Sequence, residues 1–264
     1  MSGLAGKVVL ITGGSSGIGK GLAVAMAGLG ARVALAARDP DRLEAAAREI
    51  GALAVPTDVG DAAQCRAMVE RTVGHFGQLD VLVNSAGLSL RGPFEDTTPE
   101  TVERVFRVNV LGTIFATQAA IPHVRQTRGS LIALSSLAGK RGAPSYAIYG
   151  ATKFAVGGLY EALRIELSDD RVHVGVVSPG FVDTPLRDNQ LGPDGQPHPE
   201  RQAVPFKVWP VERVVECVLY LLRTRKAEVY LPWFVRYYVA LDALTNQVFS
   251  DRIIKDRFRR TRGD

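Results

Sequence analysis

Cysteine is scarce, with two in 264 residues. Cys65 and Cys217 lie far apart, without Cys or His neighbours at metal-ligand spacing. Neither a disulfide framework nor a metal site is implied, and a reducing cytosol is the natural compartment. The four histidines, His75, His123, His173 and His198, have no mutual spacing that suggests a metal or a hydrolase triad. Surface or packing roles suffice, with His198 the one placed to touch a substrate. Long apolar runs are also missing. The stretch 108–124 lacks Asp, Glu, Lys and Arg but contains Asn109, Thr113, Thr117, Gln118 and Pro122, so it reads as a buried helix rather than a membrane span. Residues 1–7 show no basic segment leading into an apolar one, and 8–12 is too short to serve; no signal peptide is expected. There is no acidic excess. The net charge is +5, and Arg252, Lys255, Arg257, Arg259, Arg260 and Arg262 concentrate it in a tail. That pattern fits a solvated helix end better than a nucleic-acid-reading face.

What is present is a regular alternation. With 46% hydrophobic residues, the chain can bury one large α/β core. Short apolar runs predict strands at 7–12, 32–37, 52–56, 80–84, 129–135, 172–177 and 228–231. Helical patterns fall between them, at 17–29, 41–50, 61–76, 99–121, 146–167 and 211–222. The runs are nearly continuous in Val, Leu, Ile and Ala, as in strands covered on both faces. Right-handed crossovers then give a doubly wound parallel sheet, a Rossmann fold. The irregular stretch 179–210, rich in Pro and Gly, is too long for a plain connection and reads as a lid or a disordered segment.

After the first strand comes Thr12-Gly13-Gly14-Ser15-Ser16-Gly17-Ile18-Gly19. Glycines here permit a tight turn, close approach of a pyrophosphate and close helix–strand packing, with a helix N-terminus facing the phosphates. A glycine-rich loop alone is a weak signal, but its strand–loop–helix setting strengthens it. The second strand ends in Ala36-Ala37-Arg38, where an adenosine ribose is read. An acid there suits a free 2′-hydroxyl, and a cation suits a 2′-phosphate. Arg38 can donate charge-assisted, bidentate hydrogen bonds, so NADP(H) is expected over NAD(H). Asp39 fits an Asp-Pro turn into the next helix.

Tyr149 and Lys153 stand at i and i+4 on one helix face, so the ammonium can bias the phenol toward phenolate. Ser136, at the end of the fifth strand, can hold a substrate oxygen. Ser135 is the competitor, because strand alternation directs only one of the two inward. Tyr146 lacks a Lys partner, its i+4 residue being Gly150.

These residues, in this order, resemble the short-chain dehydrogenase/reductase family over 7–231. Its cofactor loop corresponds to Thr12, Gly13, Ser15, Ser16, Gly17, Ile18 and Gly19. Its adenine-side acid corresponds to Asp58-Val59, and its fourth-strand motif to Asn84-Ser85-Ala86-Gly87, with Ser85 where Asn or Ala is usual. Asn109 matches a helix-kinking Asn whose carbonyl holds a water linked to the catalytic Lys. Pro179-Gly180-Phe181-Val182-Asp183-Thr184 resembles the segment that orients nicotinamide, with Val182 acting through backbone and Thr184 through its hydroxyl. The resemblance implies hydride transfer with Tyr149 as proton donor, Ser136 on the oxygen and Lys153 on the ribose. With NADP(H), the expected direction is carbonyl reduction. It also implies a homodimer or homotetramer built through the helices bearing Asn109 and Tyr149.

The expected division is an oxidoreductase domain at 1–231, with a substrate loop at about 185–210, and an extension at 232–264. In the extension, Phe234, Tyr237, Leu241, Leu244 and Val248 form a stripe that should bury itself. Packing on the domain or a subunit is the first reading; a peripheral membrane contact is the second. Leu88, Phe94, Phe206 and Trp209 predict an apolar cavity; the resemblance, through family members with comparable hydrophobic extensions, implies a bulky steroid, retinoid or long-chain keto lipid. An NAD-linked alcohol dehydrogenase and a non-catalytic cofactor sensor are the alternatives.

Overall fold

The structure, a computed structural model, describes residues 3–197, 203, 204, 206–244, 251 and 253–258. Seven parallel strands form one sheet in the order β3-β2-β1-β4-β5-β6-β7. They are β1 (Val8–Thr12), β2 (Arg32–Ala37), β3 (Leu53–Pro56), β4 (Val81–Asn84), β5 (Ser130–Leu134), β6 (His173–Pro179) and β7 (Glu228–Leu231). β1 and β4 are neighbours from which the chain winds outward in opposite directions, so a crevice opens at their carboxyl ends.

Both faces of the sheet are covered, as the unalternating strands predict. Val9 and Ile11 point toward α1 (Gly17–Gly28), α2 (Pro40–Ile50) and α8 (Val211–Thr224). Val8 and Leu10 point toward α3 (Ala62–Phe76), α5 (Gly112–Thr127) and α6 (Ala147–Glu166). Asp39 caps α2, its carboxylate accepting from Arg42 N at 3.0 Å with Pro40 in the first turn, which is the turn role expected of it.

The helix expected at 99–121 is divided. α4 (Pro99–Phe106) passes through a π-helical turn (Arg107–Leu111) into α5, which runs on through Pro122 to Thr127. The side chain of Asn109 accounts for the turn. Its Oδ1 accepts from Leu88 N at 2.7 Å, and its Nδ2 donates to Leu88 O and Thr152 Oγ1. Pulling one residue onto a neighbouring loop widens the ladder locally, and such bulges gather at functional sites. The long stretch after β6 holds a short helix, α7 (Pro185–Asp188), which the sequence pattern does not announce. After β7 comes α9 (Val235–Leu244).

A buried polar triad fixes β4. Asn84 Nδ2 donates to Tyr160 OH at 2.8 Å and Thr117 Oγ1 at 3.0 Å, and those two hydroxyls lie 3.1 Å apart. Asn84→Ala should cost about 1–3 kcal/mol, because it leaves buried hydroxyls short of a partner. Urea denaturation measures it, and a loss below a few tenths would contradict the account.

Candidate active site

The glycine loop is shaped by contacts that no side chain could tolerate. Gly13 has φ +68°, and a Cβ there would stand 2.8 Å from Ala86 N. At Gly19 a Cβ would stand 2.2 Å from Gly13 O. Thr12 Oγ1 accepts from Ser85 N (3.1 Å) and Ala86 N (3.2 Å), tying the β1 loop to the β4 loop. Ser16 precedes α1 without a side-chain cap, and the first turn carries no acid, so its free N–H groups present positive potential. Ser15 and Ile18 lie partly buried in the same turn. Gly17 approaches Thr184, whose side chain is buried where the lid begins. Arg38 is exposed just past the end of β2, and among the described residues its guanidinium makes no hydrogen bond or ion pair. The cradle therefore fits a dinucleotide phosphate group in shape, and Arg38 adds a cation at the ribose end.

Several residues expected at the cofactor have other side-chain partners. Asn84 turns into the core triad, because strand alternation sends it toward α5 and α6. The Asp58 carboxylate accepts from Gly60 N at 2.9 Å. Val59 packs so closely on Gly112 that a Cβ there would meet it at 2.7 Å. Ala86 and Gly87 contribute backbone; a Cβ at Gly87 would come within 3.7 Å of Lys153 Nζ. Pro179 ends β6, Gly180 N donates to Leu231 O at 2.8 Å, and Val182 bridges to Trp209.

Ser136, Tyr149 and Lys153 come together. Ser136 begins a 3-10 turn (Leu137–Gly139), its Oγ accepting from Ala138 N at 3.2 Å, and its side chain lies close enough to the Tyr149 hydroxyl to favour the ionised phenol. Ser135 instead donates to Lys153 O at 3.0 Å from a buried position, so the register places Ser136 at the phenol. Lys153 Nζ donates to Leu134 O at 3.0 Å and lies 5.7 Å from the Tyr149 ring centroid. Burial pushes Lys153 down to about 8. Tyr149 is pushed up to about 12, chiefly by burial, with the nearby Ser136 side chain opposing and Tyr146 adding. The depressed phenol expected from the Tyr-x-x-x-Lys spacing is thus not a property of the chain by itself. Lys153 lies under the ring, and desolvation outweighs it. Asn109 O accepts from Thr113 Oγ1 at 2.8 Å, so the carbonyl expected to hold water already has one partner.

The three residues open onto a cavity of about 780 Å³ whose walls include Leu88, Phe181, Phe206 and Trp209. Phe94, expected there, is 65% exposed and faces elsewhere. The extension supplies Val235, Tyr238 and Phe258 to the same cavity. Of its expected stripe, Phe234, just before α9, is exposed but also lines the cavity, while Tyr237, Leu241 and Leu244 are exposed outside it. The inward face is set by Asp242, which is buried on Arg141, a long-range pair that no apolar period reveals. Val248 and His198 lie outside the described residues. The sequence reading also passed over Tyr146, which is buried with Tyr149 at 6.3 Å, Phe181 at 6.1 Å and Phe258 at 6.3 Å. An i+4 test could not find contacts of that range.

The model of the short chain dehydrogenase family matches residues 7–193. Among curated proteins, 11-beta-hydroxysteroid dehydrogenase 1A of Arabidopsis thaliana is 43% identical over 190 residues, covering 69% of this chain and 54% of that one. The 3-ketodihydrosphingosine reductase of Bos taurus is 38% identical over 203 residues, covering 72% and 61% respectively. The chain thus matches little more than half the length of these relatives. A crystal structure of 3-ketoacyl-(acyl-carrier-protein) reductase from Brucella melitensis, complexed with NADH, superposes with a TM-score of 0.75 at 29% identity, covering 86% of this chain and 96% of that one. With its parallel sheet, its glycine cradle and the meeting of Ser136, Tyr149 and Lys153, the chain belongs to the short-chain dehydrogenase/reductase family.

Proposed function

We propose that the chain is an NADPH-dependent reductase that converts a bulky, apolar ketone or aldehyde to an alcohol. The observation that carries this reading is the convergence of Ser136, Tyr149 and Lys153 on a cavity walled by apolar side chains. A bound nicotinamide dinucleotide supplies the hydride. Gly13, Gly17 and Gly19 admit its pyrophosphate, Lys153 holds ribose hydroxyls, and Val182 and Thr184 orient the ring. Ser136 donates a hydrogen bond to the carbonyl oxygen, where negative charge develops. Tyr149 gives that oxygen its proton. A phenol held up at about 12 keeps the proton at neutrality, which supports the reductive direction.

Arg38 supports NADPH over NADH. The cavity, and the steroid and ketosphingoid names of the relatives, support a bulky apolar carbonyl. Exposed Leu111, Phe154 and Ile165 on the π turn and α6 support self-association through these helices. The exposed stripe on α9 suits a subunit face or a peripheral lipid contact; among the described residues no helix is long and apolar enough to cross a membrane.

The test is cofactor consumption with NADPH and, separately, NADH over a panel of apolar ketones and aldehydes. Arg38→Asp should reduce the NADPH-to-NADH ratio of kcat/KM by about a hundredfold, the loss of charged hydrogen bonds to a phosphate. An unmoved ratio would make Arg38 incidental and favour the NAD-linked dehydrogenase. Tight binding with no turnover on any carbonyl would favour the sensor.

A further inference from the structure

We propose that the helical segment 251 and 253–258 closes the substrate cavity, and that Phe258 is a specificity-determining residue held there by Arg141. The inference rests on the reductase reading above. Phe258 is 3% exposed, although Lys255, Asp256 and Arg257 beside it are exposed. Its ring meets Tyr146 edge-on at 6.3 Å and Phe206 at 6.3 Å. Tyr146 in turn meets Tyr149 at 6.3 Å, and Phe206 stacks on Phe181 at 6.4 Å. Aromatic contacts therefore lead from the far end of the extension to the proton donor, along the cavity surface. Ile254 and Phe258 both line that cavity.

Arg141 holds this arrangement. It lies in the loop leaving Ser136 and lines the cavity itself. Its Nε donates to Asp242 Oδ2 of α9 at 2.9 Å, and its Nη2 donates to Asp251 at the head of the closing segment. The Asp242 side chain is only 7% exposed. One guanidinium thus fastens both parts of the extension to the loop that carries Ser136. Removing it would take a cationic partner from a buried carboxylate and from Asp251 together, which loosens the segment's hold on the loop. Arg141 is accordingly a positioning residue, and Phe258 the group that touches substrate.

The experiment uses the full chain with NADPH and two ketones, bicyclic decalone and monocyclic cyclohexanone. Alongside turnover, it reads the affinity of the fluorescent dye anilinonaphthalene sulfonate for the decalone-displaceable site. Phe258→Ala should reduce the decalone-to-cyclohexanone ratio of kcat/KM by about tenfold through KM, the loss of one buried aromatic contact, and weaken the dye to match. Phe258→Leu should restore most of the ratio. Arg141→Gln should raise KM for decalone while KM for NADPH stays put, with Arg141→Lys partly rescuing. A ratio and a dye affinity both unmoved in Phe258→Ala would overturn the proposal with the reductase intact. If the wild type reduces neither ketone, the reductase reading fails and the dye decides alone: weakened binding sustains the wall, and equal binding removes it. If Phe258→Ala does not fold, Phe258→Leu and Arg141→Gln carry the same readouts.

Discussion

Tyr149→Phe should lower kcat by about a hundredfold to ten-thousandfold, the usual range for losing a positioned proton donor. The substitution keeps the ring that packs on Tyr146 and stands over Lys153. It removes only the hydroxyl that faces the Ser136 side chain. Cofactor affinity, measured by fluorescence titration, should therefore be retained while turnover collapses. The pH dependence has a definite sign. A phenol pushed up to about 12 is protonated throughout the neutral range, so Tyr149 imposes no alkaline limb on reduction there, whereas the reverse oxidation, which needs the phenolate, should accelerate as pH rises. Lys153, pushed down to about 8, is cationic below that value and neutral above it. Loss of its charge predicts an alkaline limb near pH 8 in the KM for NADPH, before ribose contacts shift it. A Tyr149→Phe enzyme retaining more than a tenth of wild-type kcat would remove Tyr149 from the chemistry.

Gly19→Ala should abolish dinucleotide binding, with affinity down at least about a hundredfold, the value of a few charge-assisted phosphate contacts. The added Cβ would stand 2.2 Å from Gly13 O and 2.8 Å from Gly13 C. Both are backbone atoms of the same loop, so nothing can swing aside and the cradle itself must move. Overpacking of this kind also costs about 1–3 kcal/mol. Gly74→Ala is the contrast. Gly74 lies within α3, and a Cβ there meets nothing within 4 Å, so this change should stabilise the chain by about 0.5–1 kcal/mol. Thermal melts with and without NADPH read both effects. A Gly19→Ala protein that NADPH still stabilises as it does wild type would refute the cradle.

The fold was legible because the strands β1 to β7 are short, apolar on both faces and separated by helical patterns of ordinary length. The meeting of Ser136, Tyr149 and Lys153 was legible for a related reason: two of the three share one helix face, and the third ends the strand before it. What escaped was set by contacts distant in sequence. The bend at Asn109 was expected only through the family resemblance; the bonds to Leu88 that produce it are not encoded by any local propensity. Asn84 and Thr12 carry residue types suited to a ligand but direct their side chains to Tyr160 and to the Ser85 and Ala86 amides. The stripe of α9 had the period of a buried face, yet Arg141 turned the opposite face inward through Asp242. Periodicity tells that a helix has an apolar side; it does not tell which side the rest of the molecule will choose.

Asn109 grips Leu88 through both its backbone groups, taking the N–H on Oδ1 and giving Nδ2 to the carbonyl. A neighbouring strand would offer the same pair of bonds, so a side chain here does the work of one more strand at the point where the sheet has ended. The chemical half of the cavity is thereby built into the scaffold, while the facing half comes from the loop 185–210 and the extension, which lie outside the sheet. Such a molecule could exchange its outer half for another, and with it the compounds it accepts, while the atoms that move a proton keep their places.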